Sequence, residues 1–299
     1  MITIDDVLKH KYCKVKVSKS YPDFQILSYK RKAFFEGAFD DILEQSRGMV
    51  IDSNNNIVVN PPEKIYNFGI EDRAPVISDD TQVTAYRKVN GFMAAISWHN
   101  DQLVVSTTGS LDSDFVKYIY EMMETHSSLN VWKSFADEGQ AYTHFFECVH
   151  PDDPHVIPEK QGMWYLGCRK KIFAEKVHGF GAADEWQGYA NNLGCYYPES
   201  EITTVGKIRD KARTAKHEGY VIYTEDDRVT KLKSPYYLTL KWCSRNISEK
   251  KLMGQSLMAQ VDEEFYPLVS HLQTVSSMYL DMTEQERYEY IRQHYANKL

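Results

Sequence analysis

YRKVNG, residues 86–91, joins two strand-like runs, VTAYRK (83–88) and GFMAAISW (91–98). A lysine near a glycine between two strands is a candidate nucleophile beside a close-approach point. The amine is the nucleophile, and the glycine lets the backbone pass close to a nucleotide. The pattern Lys-x-x-Gly occurs four times, at Lys88, Lys176, Lys216 and Lys251. Roughly one chance copy is unsurprising at ordinary composition, and each reads first as a surface lysine near a turn. Context selects Lys88. Lys251 lies in a helical pattern, Lys216 precedes another candidate motif, and Lys176 runs into the Gly-rich HGFGAADE. Only Lys88 ends one strand pattern and opens another through Gly91.

A lysine nucleophile must lose its proton, so nearby cations or a metal are expected to lower its pKa and neutralise phosphate charge. Carboxylates are expected too, for ribose and metal. The chain supplies them in order: Glu147 in FFECV, Glu218 in HEGYVIY, then Lys231 and Lys233 in TKLKSPYY. Residues two apart on a strand share a face, so both lysines can enter one pocket. Singly, each is an ordinary strand-edge or wet-face residue. Their joint type, spacing and order are harder to dismiss.

The surrounding pattern predicts an α+β fold, mixed and antiparallel-rich. FQILSYKRK (24–32), GMVID (48–52), IVVN (57–60), LVVST (103–107), YTHFFECV (142–149), MWYLGCR (163–169), GYVIYT (219–224) and RVTKLK (228–233) read as strands. Ser53-Asn54-Asn55-Asn56 and His99-Asn100-Asp101-Gln102 read as hairpin turns. LDSDFVKYIYEMMETH (111–126) has helical spacing. So does the stripe Leu257, Met258, Val261, Phe265, Leu268, Val269, Leu272 and Val275, and Thr283-x-x-Glu286 is a capping-box signature. The expected division is a main domain over residues 1–243 and a small helical one over 244–299.

The chain has 299 residues and a net charge of −7, the wrong sign for bulk attraction to nucleic acid. Local cations keep such a role open: Lys30-Arg31-Lys32, Arg169-Lys170-Lys171, and Lys207, Arg209, Lys211, Arg213 and Lys216. Each reads first as a solvated face. Five cysteines without a Cys-x-x-Cys pair suggest reduced thiols in a cytoplasmic setting. No apolar run reaches membrane-span length and the N-terminus lacks a signal-like core, so a soluble, unexported protein with no membrane partner is expected.

The ordered series resembles the covalent nucleotidyltransferase superfamily of DNA ligases, RNA ligases and mRNA capping enzymes. KVNG is similar to its motif I, FFE to motif III, YLGCR to IIIa, EGYV to IV and TKLK to V. QSRGMVID, PPEKIYNF and KLKSPYYLTLK resemble segments of the narrower bacteriophage T4 RNA ligase 1 family. This resemblance spans roughly residues 24–243. It implies an ATP-grasp-like ligase domain and an ATP-dependent RNA ligase working through lysyl-AMP. The implied cofactors are ATP and Mg2+, with Mn2+ as a substitute. The implied partner is RNA with 5′-phosphate and 3′-hydroxyl ends, met by a monomer in the cytoplasm, or host-cell cytoplasm for a phage-encoded chain. Lys88 becomes the nucleophile, and Lys231 and Lys233 stabilise the α-phosphate. Arg47 and Lys64 contact phosphates or the metal's water network. Glu147 and Glu218 bind ribose and metal, through water. Gly91, Gly219, Arg169 and Tyr237 match nucleotide-site positions, Val221 packs on adenine, and Phe145 stacks on the base.

Three positions depart from the family pattern. Asn90 stands where Asp is common, Thr108 where lysine is expected, and His155 where arginine is expected. The rival readings are a DNA ligase or capping enzyme, and a catalytically degenerate RNA-binding relative. The helical pattern after residue 243 disfavours the β-barrel that the former carry. Retention of Lys88, Glu218, Lys231 and Lys233 disfavours the latter.

Overall fold

The computed structural model describes residues 3–70, 72–245, 247–254, 261 and 265–295. Three four-stranded sheets, all antiparallel, organise them. After helix α1 (Ile4–Lys9), capped by Thr3 and Asp6, the first sheet runs β1 (Cys13–Val17), β2 (Gln25–Tyr29), β3 (Met49–Ile51), β4 (Ile57–Val59). The short helix α2 (Lys32–Phe35) leaves β2. The predicted turn after β3 forms because Asp52 Oδ1 accepts the Asn54 and Asn56 amides, each at 2.8 Å. Asn tolerates the positive φ of 62° at position 55.

Strands β5 (Gln82–Arg87) and β6 (Phe92–His99) follow each other in sequence but lie in different sheets. β5 sits between β10 (Ser200–Thr204) and β11 (Gly219–Thr224), with β12 (Val229–Lys233) beyond. β6 sits between β7 (Gln102–Thr107) and β8 (Tyr142–Val149), with β9 (Gly162–Lys170) beyond. The β6–β7 hairpin turns through Asn100 and Asp101 at φ 47° and 59°, the positive values a tight hairpin requires. Residues 88–91 are therefore the crossing between two sheets.

The main core fills the space between these sheets and helices α3 (Asp114–His126), α4 (Leu129–Glu138) and α5 (Ala183–Leu193). Val116, Ile119, Met122 and Met123 bury one face of α3, while Phe115, at the same helical spacing in the sequence, stays exposed. Helix α6 (Val205–Arg213) buries Val205, Ile208 and Ala212 behind β5 and β11. Its cations form the solvated face, with Arg209 paired to Asp79 at 2.7 Å and Lys211 to Glu201. The first sheet packs Ile26, Val50 and Val59 against Ala95 and Val104 of the β6–β7 sheet. Strands β1 and β10 have mostly exposed or half-buried residues. β10 carries no alternation to read, whereas β1 alternates as CKVKV although Val15 and Val17 are exposed, a strand signal the sequence contained.

Helices α7 (Pro235–Ser244), α8 (Glu249–Met253), α9 (Tyr266–Thr274), α10 (Ser276–Asp281) and α11 (Glu284–Tyr295) share a second core. Tyr237, Leu240 and Cys243 of α7 meet Leu252, Leu268, Leu272, Tyr279 and Ile291 there, together with Val156 and Ile157 from the β8–β9 connection. The capping box forms: the Thr283 amide reaches Glu286 Oε2 at 2.7 Å, and the Glu286 amide reaches Thr283 Oγ1 at 3.3 Å. Leu257 and Met258 of the predicted stripe lie outside the described residues. All five cysteines are free. Among the described residues no helix is long and apolar enough to cross a membrane.

Candidate active site

Gly91 permits the crossing between sheets, because a Cβ there would lie 2.2 Å from the Cys148 carbonyl oxygen. Its amide donates instead to Glu147 Oε1 at 2.9 Å. The Lys88 amide donates to the Gly219 carbonyl at 2.8 Å, so β11 holds the start of the crossing. Gly219 is required in turn. Its φ is +127°, and a Cβ would meet the Leu232 carbonyl oxygen at 2.0 Å.

Glu218, almost fully buried, gathers the polar groups of the crossing. Its Oε2 accepts from Lys88 Nζ at 3.1 Å and from Asn90 Nδ2 at 2.7 Å. Its Oε1 lies 3.3 Å from Lys233 Nζ. Asn90 Oδ1 accepts the Ile157 amide at 3.1 Å. An ionised aspartate could accept from Ile157 but could not donate to Glu218. The amide at position 90 serves both neighbours without adding charge.

A cleft of about 620 Å³ opens over these groups. Arg47, Lys64, Lys88, Gly91, Phe145, Glu147, Glu218, Val221, Lys231 and Lys233 line it. Lys231 and Lys233 alternate along β12, opposite Val221 and Gly219. Phe145 enters from β8 and Val221 from β11, so two sheets supply apolar surface to one space. Lys64 Nζ sits 3.3 Å from the Tyr66 ring centroid and 4.6 Å from that of Phe39. These rings orient the ammonium by cation–π attraction. Arg47 Nη1 approaches the Pro62 carbonyl at 3.4 Å.

Burial is the largest influence on Lys88 and pulls its pKa down. Glu218 and then Glu147 outweigh it, so the amine is held above the ordinary lysine value. The expectation that neighbouring cations lower this pKa is corrected: Arg47 acts in that direction but loses to the two carboxylates. Burial pushes Glu147 above the usual carboxylate range against the pull of Lys88. It pushes Glu218 upward too, but Lys88 and Lys233 prevail and hold that carboxyl below its usual value.

Three expected residues lie outside the cleft lining. Arg169 is buried behind it, with Nε donating to the Glu175 carbonyl at 2.6 Å, Nη1 to the Pro61 carbonyl at 2.6 Å and Nη2 to Gln45 Oε1 at 2.9 Å. Burial lowers its pKa to about 10. It braces the segment between Arg47 and Lys64, which corrects its reading as a direct nucleotide contact. Tyr237 is buried in the helical core, and its ring centroid is 4.7 Å from Lys233 Nζ. It supports a lysine of the cleft. Gly219 acts through its backbone, as above.

Other residues enter the cleft unforeseen: Tyr29, Phe34, Arg87, Met93 and Lys241. Lys241 lies one helical turn after Tyr237 and so shares its face, a signal the sequence contained. Burial, then the charge of Lys233, lowers its pKa. Arg87 Nη2 pairs with both oxygens of Glu159 at 3.0 and 2.8 Å, a pairing across a long loop that spacing alone does not reveal. Thr108 lines the cleft, while His155 bonds Asp153 at 2.7 Å. Of the rival lysines, Lys176 pairs with Glu63, and Lys216 and Lys251 are exposed.

The chain is 24% identical over 294 residues to a protein of Autographa californica nuclear polyhedrosis virus assigned as a bifunctional polynucleotide kinase/RNA ligase. The match takes in 90% of this chain but 41% of that protein, so the chain spans about two fifths of its relative's length. Among solved structures, an archaeal ATP-dependent RNA ligase superposes with a TM-score of 0.57 at 14% identity, covering 93% of this chain and 75% of the other. A protein of Aquifex aeolicus assigned as an ATP-dependent DNA ligase superposes at 0.53 and 15% identity, covering 96% and 74%. These likenesses show a shared fold. The family model described as RNA ligase, of the T4 RNA ligase 1 type, matches residues 45–241, the span from β3 to α7 that holds almost every group around the cleft. By that match over most of its length, the chain belongs to the T4 RNA ligase 1 family of RNA ligases.

Proposed function

We propose that the chain is an ATP-dependent RNA ligase that joins 5′-phosphate and 3′-hydroxyl RNA ends. The observation that carries this reading is the meeting of Lys88, Lys233 and Asn90 on Glu218, in a cleft that Lys231 and Glu147 also line. In the first step Lys88 Nζ, once deprotonated, attacks the α-phosphorus of ATP. A P–N bond forms and the P–O bond to pyrophosphate breaks. A 5′-phosphate oxygen of the RNA then attacks the same phosphorus, breaking the P–N bond and freeing Lys88. The 3′-hydroxyl of the other end, giving up its proton, attacks the 5′-phosphorus and expels AMP to seal the strand.

Lys231 and Lys233 reach the α-phosphate from one strand face and stabilise charge developing on its oxygens. Arg47 and Lys64 meet the β- and γ-phosphates from the first sheet's side. Phe145 and Val221 enclose adenine from two sheets. Glu218 orients the Lys88 amine through its hydrogen bond. With its own pKa lowered, Glu218 is a weak acceptor for the lysine proton. Glu147 and Glu218 are two buried carboxylates in one cleft, a donor set that suits Mg2+ or Mn2+ held through water. Bound there, the cation supplies positive charge that loosens the carboxylates' hold on the Lys88 proton and neutralises phosphate. We assign residues 244–299 to a small helical C-terminal domain that shares its core with α7, Val156 and Ile157, and the chain to a monomer working in the cytoplasm.

The test is transfer of label from α-labelled ATP to denatured protein in the presence of Mg2+. Wild type is expected to label, and Lys88→Ala, which has no amine to form the P–N bond, to fall to background. Equal labelling of both sinks the proposal. Offering 5′-phosphorylated RNA or DNA then identifies the polymer, and joining of DNA alone overturns the choice of RNA.

A further inference from the structure

The first 32 residues contradict the charge of the whole. They hold eight Lys/Arg and three Asp, whereas the remaining residues hold 27 Lys/Arg and 39 Asp/Glu. All eight of those cations are exposed. Three are consecutive, Lys30-Arg31-Lys32, and lead into Phe34 and Phe35 of α2. Only Ala33 of α2 is buried. Phe34 is 51% exposed and Phe35 is 87% exposed, the latter high for an aromatic side chain.

Phe34 is not loose. Its ring meets Tyr29 edge-on at 5.4 Å and Phe39 at 4.9 Å. Phe34 and Tyr29 also line the catalytic cleft, and Lys64 Nζ lies 5.7 Å from the Phe34 ring centroid. The cleft wall thus continues outward to Phe34, with the exposed ring of Phe35 next in α2 and Lys30, Arg31 and Lys32 beside them, the last paired to Glu36 at 3.1 Å. Lys30 Nζ bonds the Lys11 carbonyl at 2.7 Å, which draws the cation-rich segment around Lys11 to the same place. Rings beside cations are what sequence-tolerant binding of a single strand uses: bases stack, phosphates pair. A protein partner of this lip would have to be acidic, and a second copy meeting it lip to lip would bring the same cations into conflict.

We propose that Phe34 and Phe35, with Lys30, Arg31 and Lys32, form a docking lip for the single-stranded RNA leading to the end being joined. This rests on the RNA ligase reading and adds to it a path for the polymer. Bases stack on the two rings, the backbone follows the cations, and the strand end is delivered over Phe34 into the cleft. An acidic protein can therefore hold RNA, because the attraction is local to the lip.

The experiment uses the full chain, with Phe35→Ser, Phe35→Trp and the double variant Arg31→Gln/Lys32→Gln. Two readouts are taken: lysyl-AMP formation from ATP, and KM for a 5′-phosphorylated oligoribonucleotide in ligation. Phe35→Ser is expected to raise KM roughly 5- to 150-fold, the range for loss of one stacked base. Its lysyl-AMP rate is expected to stay within about threefold, since that step needs no RNA. Phe35→Trp is expected to restore the KM. The double variant is expected to lower the slope of log KM against log salt by about 1.4. Wild-type KM and salt slope in these variants overturn the lip while leaving the enzyme assignment intact. A wild type that forms no lysyl-AMP overturns the assignment itself. Concentration-dependent dimers that Phe35→Ser abolishes, with KM unmoved, overturn the RNA role in favour of contact between copies.

Discussion

Replacing Gly91 by alanine puts a methyl carbon 2.2 Å from the Cys148 carbonyl oxygen. Ordinary contact is near 3.2 Å, so the crossing must lift from β8 by about 1 Å, an overpacking that costs about 1–3 kcal/mol. Lifting also stretches the 2.9 Å bond from the Gly91 amide to the Glu147 carboxylate. Its loss adds about 1.5–3 kcal/mol. The sum, about 2.5–6 kcal/mol, predicts a Tm lower by roughly 4–10 °C in a protein of this size. Lys88 lies three residues upstream on the same crossing. A misplacement of about 1 Å at a reacting group lowers the rate on the order of 100-fold. Single-turnover labelling with α-labelled ATP below the variant's melting range separates the rate from the stability. Gly109 is the internal control, because nothing lies within 4 Å of a Cβ built there. Gly109→Ala is expected to match wild type in both measurements. If Gly91→Ala labels within threefold of wild type, the close approach does not position Lys88 and the reasoning fails.

Asn90→Ala removes a hydrogen bond to a charged carboxylate, about 1.5–3 kcal/mol, and should slow labelling roughly 10- to 150-fold. Asn90→Asp adds a negative charge beside Glu218 and near Lys88. That favours the ammonium form, raises the Lys88 pKa, and should move the pH–rate profile for labelling to higher pH; no movement, or an acid shift, counts against the network described. Arg169→Leu leaves the Pro61 and Glu175 carbonyls and Gln45 Oε1 without their donor. We expect a stability loss of roughly 3 kcal/mol or more in urea melts, and Arg169→Lys, which reaches fewer acceptors, should rescue little of it. His144 is neutral in the fold, because burial lowers its pKa from 6.5 to about 3. The unfolded chain binds that proton more readily, so the contribution is complete above about pH 6.5 and is lost as pH falls. Wild-type stability should decline below pH 6.5 by up to about 1.4 kcal/mol per unit from this group, and His144→Gln should flatten the decline.

The sequence makes some of this plain and hides the rest for identifiable reasons. Lys231 and Lys233 are legible because strand alternation is local: two apart means one face. Glu147 and Phe145 follow the same rule on β8. Lys88 is legible only in company, since its motif recurs and its setting does not. The expected hairpin after residue 98 forms because Asn and Asp accept positive φ. The role of Asn90 is hidden, because its two partners, Glu218 and Ile157, come from distant segments with no periodic signature. Arg169 misleads for a related reason. A motif gives its position but not the direction of a long side chain, which here turns away from the cleft into a cage of carbonyls. The edge strand β10 carries no alternation to read, and β1 alternates as CKVKV in only five residues, too short a run to stand out beside the longer strands.

The bond from Lys88 to Glu218 joins residues 130 positions apart, and β5 reaches β11 through Tyr220 opposite Arg87. A chain still emerging, or cleaved before residue 200, contains an intact YRKVNG and Glu147 but lacks Glu218, the carboxylate that accepts from its lysine. Pairing of that long loop is slow relative to local helix and hairpin formation. The reactive lysine is thus made late, by ring closure of the polypeptide on itself. Recovery of lysyl-AMP formation during refolding should lag the return of helical signal and keep time with β5–β11 pairing. Chemical competence then reports that the whole of residues 88–218 has found its place.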